Sequence, residues 1–110
     1  MPLVTAFNLK KEDRLPEIED AIRNALVSMP ALEIHSDAVD FVPIFEADDF
    51  PRTITRINVD LWERSARSKD ALQELAARVA KSFQTVAGKD RRVKVVIRPY
   101  AIERSGWVSF

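Results

Sequence analysis

Hydrophobic and polar positions alternate with two different periods along this chain, and the switches between them mark its elements. In Pro2–Leu9, Leu3, Phe7 and Leu9 share one parity and Val4 and Ala6 the other, which predicts a strand with little solvent on either face. The charged stretch Lys10–Arg14 is a connector, with Asp13 placed to cap a helix and Pro16 tolerated in its first turn. Leu15, Ile18, Ala21, Ile22, Ala25, Leu26 and Met29 then recur at helical spacing, giving one apolar stripe that Pro30 ends. Val39–Phe45 reads as a second strand, and Pro43 assigns it to a sheet edge or a bulge. After the acidic loop Glu46–Pro51, the segment Thr53–Glu63 alternates most cleanly: Thr55, Ile57, Val59 and Leu61 oppose Arg56, Asn58 and Asp60. Ser68 caps a second helix, with Asp70 in its first turn, Leu72, Leu75, Ala76, Val79, Phe83 and Val86 along its stripe, and Gly88 past its end. In Arg92–Tyr100 a last strand places Val93, Val95 and Ile97 opposite Lys94, Val96 and Arg98. The tail Ala101–Phe110 ends in Gly-Trp-Val-Ser-Phe, too apolar to stay in water undocked.

The order is βαβ followed by βαβ, within a single domain of residues 1–110. Its halves run over about 2–50 and 52–100, with a tail at 101–110. The caps Asp13 and Ser68 lie 55 residues apart and the second strands, beginning at Val39 and Val93, lie 54 apart, so the halves are in approximate register. Right-handed crossovers in two such units give an α+β fold, a four-stranded sheet with both helices on one face. The other face is expected to carry Val4, Val42, Ile44 and Val96 beside Arg56, Lys94 and Arg98. That mixture is too polar for a core and too apolar for water, so the expected cover is a sheet from another copy.

Composition mostly subtracts. Seventeen Lys+Arg balance seventeen Asp+Glu, so no global field draws in nucleic acid or an anionic membrane. There is no cysteine and one histidine, His35, which removes thiol chemistry and leaves any histidine-based metal or nucleophile site to one imidazole. Two glycines are too few for a glycine-rich phosphate loop. No apolar run approaches the roughly 20 residues of a membrane span, and the first residues lack the basic-then-apolar layout of a signal peptide. A cytoplasmic soluble protein is expected.

Two architectures share the element order, the ferredoxin-like split βαβ fold and the tautomerase fold. Pro2 opens the first strand in Met1-Pro2-Leu3-Val4, Arg64 and Arg67 lie in Trp62-Glu63-Arg64-Ser65-Ala66-Arg67-Ser68 where strand passes to helix, and an aromatic tail follows the last strand. On these features the chain resembles the tautomerase superfamily along nearly its whole length. It is similar to the trimeric branch with macrophage migration inhibitory factor, carboxymethyl-hydroxymuconate isomerase and malonate semialdehyde decarboxylase, and at least as similar to small uncharacterised tautomerase-like bacterial proteins of about this length. The resemblance implies a homotrimer. The decarboxylase's active-site Asp is similar in position to Asp37 and its two arginines to Arg64 and Arg67, but its arginines are separated by one residue and these by two.

The resemblance further implies that Met1 is removed and that Pro2 becomes a secondary amine. Near arginines in a pocket of low dielectric, the charged form of such an amine is disfavoured, which leaves a base at neutral pH. That base takes a proton from carbon beside a carbonyl while an arginine holds the substrate carboxylate and the developing enolate. The resemblance thus implies tautomerase-type chemistry on small carbonyl or enol carboxylic acids, with Pro2 as base, Arg67, Arg64 and Asp37 binding substrate, and no metal or organic cofactor, which agrees with the missing cysteine and histidine sets and glycine loops. With Met1 retained, Pro2 is a tertiary amide and cannot act as a base. The same residues also fit plainer roles: Arg64 and Arg67 in a solvated turn, Asp37 and His35 in a loop, Arg98 and Tyr100 at a sheet end, Trp62, Trp107 and Phe110 as packing anchors. A non-catalytic small-acid-binding or interaction module on the same trimeric scaffold, and a ferredoxin-like ligand-sensing domain, are the alternative functions.

Overall fold

A computed structural model describes residues 2–110; Met1, and with it the expectation of its removal, lies outside the described residues. Strands β1 (Leu3–Leu9), β2 (Asp40–Phe45), β3 (Ile54–Trp62) and β4 (Arg92–Tyr100) and helices α1 (Leu15–Leu26) and α2 (Lys69–Ala87) follow in the order β1-α1-β2-β3-α2-β4, so every predicted element is present. The sheet order is β2-β1-β3-β4. β1 pairs in parallel with β2, β3 in parallel with β4, and the halves meet through the antiparallel β1–β3 pair. Each βαβ unit therefore keeps its two strands adjacent. In a ferredoxin-like split βαβ a strand of the other unit lies between them, so this order excludes the ferredoxin-like alternative.

Both helical stripes face one side of the sheet. Ile18, Ile22 and Leu26 of α1 and Leu75, Val79 and Phe83 of α2 are sealed against Val4, Ala6, Ile57 and Val59 in a single core. Full burial of each large side chain contributes about 1.5–3 kcal/mol before entropy is counted. α2 begins as its sequence predicts: the Ser68 hydroxyl accepts from the Ala71 amide at 3.2 Å. Gly88 closes the helix at φ +124, in backbone space that side chains with a Cβ rarely enter.

Two expectations are corrected. Val4 lies on the helix side, fully buried, because directly paired residues share a face and Val4 and Ala6 pair with Val59 and Ile57 of β3. Leu9 joins them rather than Leu3 and Phe7: Asn8 adopts φ +64, the β1–β2 register shifts between Ala6 and Leu9, and the extra residue reverses the parity. Asparagine tolerates this left-handed conformation better than most residues.

Asp13 does not cap α1. Arg14 occupies the cap position without a side-chain hydrogen bond. The Asp13 carboxylate instead accepts from the Lys10 amide at 2.7 Å and takes a two-pronged contact from Arg91 at 2.5 and 3.0 Å. Arg91 also reaches the buried Thr55 hydroxyl at 2.9 Å. The connection after β2 is clipped back by Glu46, which accepts from the Lys10 ammonium at 3.0 Å and from the Arg52 amide at 2.7 Å. These contacts hold down the sheet end opposite the candidate site.

The face away from the helices carries Leu3, Thr5 and Phe7 with Val42, Ile44, Arg56, Asn58, Asp60, Lys94, Val96 and Arg98. Val42 and Ile44 are among its exposed apolar residues. In the tail only Ile102–Arg104 forms a helical turn, and Trp107 and Val108 are 68% and 71% exposed on the single chain. No helix of the described residues is long and apolar enough to cross a membrane.

Candidate functional site at the head of β1

Parallel pairing within each half and antiparallel pairing between halves bring the starts of β1 and β2 to the same sheet end as the finishes of β3 and β4. The register states it directly: Leu3 faces Asp40 on one side and Asp60 on the other, and Trp62 faces Tyr100. Pro2, the segment before β2 and the turn after β3 therefore converge, although Pro2 and Arg67 stand far apart in sequence. All four expected site residues, Pro2, Asp37, Arg64 and Arg67, belong to the segments gathered here.

Pro2 is buried and precedes β1 directly. Its carbonyl accepts from the Asp40 amide at 3.0 Å, which fixes the entry to the strand. Asp37 is exposed in a short helical turn, Ser36–Ala38, just before β2. Arg23 of α1 brackets that turn by donating to the carbonyls of Ser36 and, at 2.9 Å, Val39, while a second guanidinium nitrogen pairs with Glu19. Sequence reading missed Arg23, and only the folded path of residues 30–39 reveals its carbonyl partners.

The two arginines have different surroundings. Arg67 is 8% exposed, and its guanidinium donates twice to the Leu32 carbonyl, at 3.0 and 2.9 Å, and once to the Trp62 carbonyl, at 2.6 Å. Burial lowers its pKa from the usual guanidinium value, the like charge of Arg64 lowers it further, and Glu33 opposes both. Arg64 is exposed, and its side chain makes no hydrogen bond or ion pair among the described residues. The Arg67 amide donates to the Arg64 carbonyl at 2.9 Å, closing the four-residue turn from which Arg64 projects.

Two hollows flank this end. A cleft of about 480 Å³ between α2 and the β4 edge is lined by Glu63, Arg67, Lys69, Leu72, Val95 and Pro99, among others. A smaller one of about 100 Å³ lies at Leu3, Asp60, Leu61, Trp62 and Tyr100. Beside the latter, Arg98 grips Asp60 at 2.6 and 3.0 Å, and this hydrogen-bonded pairing raises the Arg98 pKa. His35 is an exposed loop residue, and among the described residues no three His, Asp or Glu side chains converge as a metal site.

A pair of unsplit βαβ units, joined antiparallel through their first strands, is the fold of the tautomerase superfamily, and this chain has that fold. Among solved structures it is similar to FG41 malonate semialdehyde decarboxylase inhibited by 3-bromopropiolate, with 17% identity, 97% of this chain and 89% of that chain covered, and a TM-score of 0.73. Native fused 4-OT is similar at 16% identity over 96% of this chain and 91% of its own, with a TM-score of 0.75; a fused 4-OT is also known as a symmetric trimer. A domain of unknown function from Sebaldella termitidis aligns at 18% identity over 97% of this chain and 95% of that one, with a TM-score of 0.65. By sequence alone the chain matches no family model and no curated protein.

Proposed function

We propose that this protein is a cofactor-free tautomerase or isomerase acting on small carbonyl or enol carboxylic acids, working as a cytoplasmic homotrimer of a duplicated βαβ unit. The observation that carries the reading is the buried Pro2 at the head of β1, on the sheet end that also gathers Asp37, Arg64 and Arg67. With Met1 removed, the Pro2 nitrogen is a secondary amine. Neighbouring cationic arginines and partial exclusion of water disfavour its protonated form, which suits it to act as general base near neutral pH. It takes a proton from the substrate's carbon or enol oxygen and returns it at the alternative position.

The Arg64 and Arg67 end of the site receives the carboxylate and stabilises negative charge on the enolate oxygen. Asp37, exposed in the turn before β2, orients a polar substituent or a water. Small unsaturated acids support this substrate class: the structurally similar decarboxylase is inhibited by 3-bromopropiolate, and the similar protein Pt0534 is inactivated by 2-oxo-3-pentynoate. The exposed apolar residues of the open sheet face, Val42 and Ile44, and of the tail, Trp107 and Val108, support assembly, because large apolar side chains grouped at a surface commonly mark a contact with another chain.

The test has two parts. Intact mass of the protein from its own cell is expected to show Met1 absent, and phenylenolpyruvate is expected to be ketonised at least about a hundredfold faster by the wild type than by Pro2→Ala, the lower end of the usual contribution of a general base. Equal rates for the two proteins refute the catalytic role of Pro2. An ordered protein that keeps Met1, binds small acids and turns over none identifies the non-catalytic binding module instead.

A further inference from the structure

We infer that the sheet face away from the helices carries a second ligand site, built by Arg56, Asn58 and Lys94, which takes a phosphate dianion, free or as the end of a phosphate ester. The site does not depend on the reading of Pro2. Arg56 pairs directly with Lys94 across β3 and β4, and neighbouring strands lie about 4.8 Å apart, so two cations stand side by side on one face. Arg92, two positions before Lys94 on the same strand face, adds a third. None of the three has a carboxylate within ion-pair distance among the described residues. Asp60, on the same face, is held by Arg98, and Asp40 lies on β2, two strands away from β3. Val42 and Ile44, the exposed apolar residues of this face, also lie on β2. Like charges directly opposite each other destabilise a sheet, and a bound anion relieves them.

The arginine is held ready for a ligand. Its Nε–H donates to the Asn58 side-chain oxygen at 3.0 Å, and both terminal nitrogens are left without a partner among the described residues. Those nitrogens form the edge with which a guanidinium forks a phosphate. On the same face, Arg98 commits Nε and a terminal nitrogen to Asp60 instead. Because an arginine Nε–H can only donate, the Asn58 atom it meets is the oxygen, and the remaining atom is the NH₂ donor. Asn58 is 6% exposed, yet this nitrogen makes no hydrogen bond among the described residues. No fully sealed side-chain nitrogen or oxygen there lacks a partner, so the amide nitrogen must open outward. Asn58 lines a hollow of about 370 Å³ with Phe7, Asn8 and Arg56, and the amide opens into it. A guanidinium fork, an amide and an ammonium offer more donors and more charge than one carboxylate can match. A phosphate has three strong acceptor oxygens and nearly two negative charges.

The experiment measures binding of inorganic phosphate, phenyl phosphate and acetate to the full chain by calorimetry, at constant ionic strength and at a pH of about 8, where phosphate is a dianion. Wild type is expected to bind acetate at least about tenfold more weakly than phosphate. Arg56→Gln should weaken phosphate by at least about tenfold, the loss of one charged hydrogen-bonding group. Lys94→Gln should weaken it by roughly three- to tenfold, since a lysine acts as a point charge without a fork. It should also melt higher than wild type in phosphate-free buffer, because the opposed like charges are gone. Asn58→Asp sets a carboxylate against the Arg56 guanidinium and should abolish phosphate binding without lowering the phosphate-free melting temperature. Lys81→Gln, the same charge change on an exposed position of α2, and Arg64→Gln should alter phosphate affinity by less than about twofold.

Phosphate affinity unchanged in Arg56→Gln overturns the site. So does an equal loss in Lys81→Gln, since net charge alone then accounts for binding, and so does acetate bound as tightly as phosphate. Loss of phosphate binding in Arg64→Gln alone puts the anion at the Pro2 end of the sheet and overturns it too. If Asn58→Asp does not fold, the exposed Arg56 and Lys94 variants carry the comparison. Phenyl phosphate bound more tightly than phosphate identifies an ester as the occupant, with Phe7 beside its organic part; the reverse order identifies the free ion. A wild type that binds neither overturns the inference. Equal ketonisation of phenylenolpyruvate by wild type and Pro2→Ala refutes the catalytic reading of Pro2 and leaves the phosphate site standing.

Discussion

Replacing Asp13 by serine separates two accounts of how α1 is held. As a helix cap, Asp13 would be exchangeable with serine at almost no cost, since the two rank together at that position. In the structure its side chain is only 6% exposed and its carboxylate receives the Arg91 fork at 2.5 and 3.0 Å and the Lys10 amide at 2.7 Å. Serine is too short to reach Arg91 and leaves that charge with one hydrogen-bond partner, the Thr55 hydroxyl, and the face of the Phe83 ring. Removing one member of a buried ion pair costs about 3 kcal/mol, at the lower end of the range for such pairs because Arg91 keeps one partner. In a domain of this size that lowers the melting temperature by about 12 °C.

Denaturant unfolding across pH gives a second readout. Burial by itself raises the Asp13 pKa, but the hydrogen bonds from Arg91 and Lys10 and their charges outweigh it, and the net value is lowered. A depressed carboxylate pKa contributes stability that is complete above the unfolded value of about 3.9 and is lost as pH falls through the lower folded value. The gap between wild type and Asp13→Ser should accordingly be constant from pH 7 to about 5 and shrink below about 4. A serine variant within about 0.5 kcal/mol of wild type at pH 7, or a gap that persists undiminished in acid, refutes the ion-pair account.

At the β1 bulge, Asn8→Val should cost about 1–2 kcal/mol in chemical unfolding, because a β-branched residue is strained at φ +64, whereas Asn8→Gly should be much milder. Phe83→Ala should cost about 4 kcal/mol in the same assay, since the ring is fully buried and the Arg91 guanidinium lies 5.3 Å from its centre. Together with the Pro2→Ala rate comparison, these probe the core, the backbone and the site separately.

Comparison of the chain with its fold shows which kinds of feature local pattern carries. The stripe of α2, its Ser68 cap and its Gly88 terminus were all legible, because each depends on residues within one or two turns of one another. The edge position of β2 was legible from Pro43, which cannot donate to a second neighbour. The Asp13 cap was misread because a charged residue before a helix suits an N-terminus equally well, and its true partner Arg91 lies 78 positions away. Leu9 was assigned to the wrong face because simple alternation assumes an unbroken strand, and nothing in the local hydrophobic pattern distinguishes an asparagine in a strand from one in a bulge. The site residues themselves were named only with the help of a resemblance; their gathering at one sheet end depends on pairing that periodicity does not specify.

What the sequence determined by itself was the element set and its order, the two buried helical stripes, and the absence of cysteine and of glycine-rich loop chemistry. These follow from backbone periodicity and from residue chemistry, both of which act over a few neighbouring positions. The tertiary structure alone decided that the βαβ units are unsplit, that Val4 and Leu9 face the helices, that Pro2 lies at the sheet end where β3 finishes, and that Arg67 is held by carbonyls while Arg64 is exposed. The reason is physical. A hydrogen bond such as that from Arg67 to Leu32 spans 35 positions and exists only after strand pairing and helix docking have brought its ends together, so no local pattern of side chains encodes it.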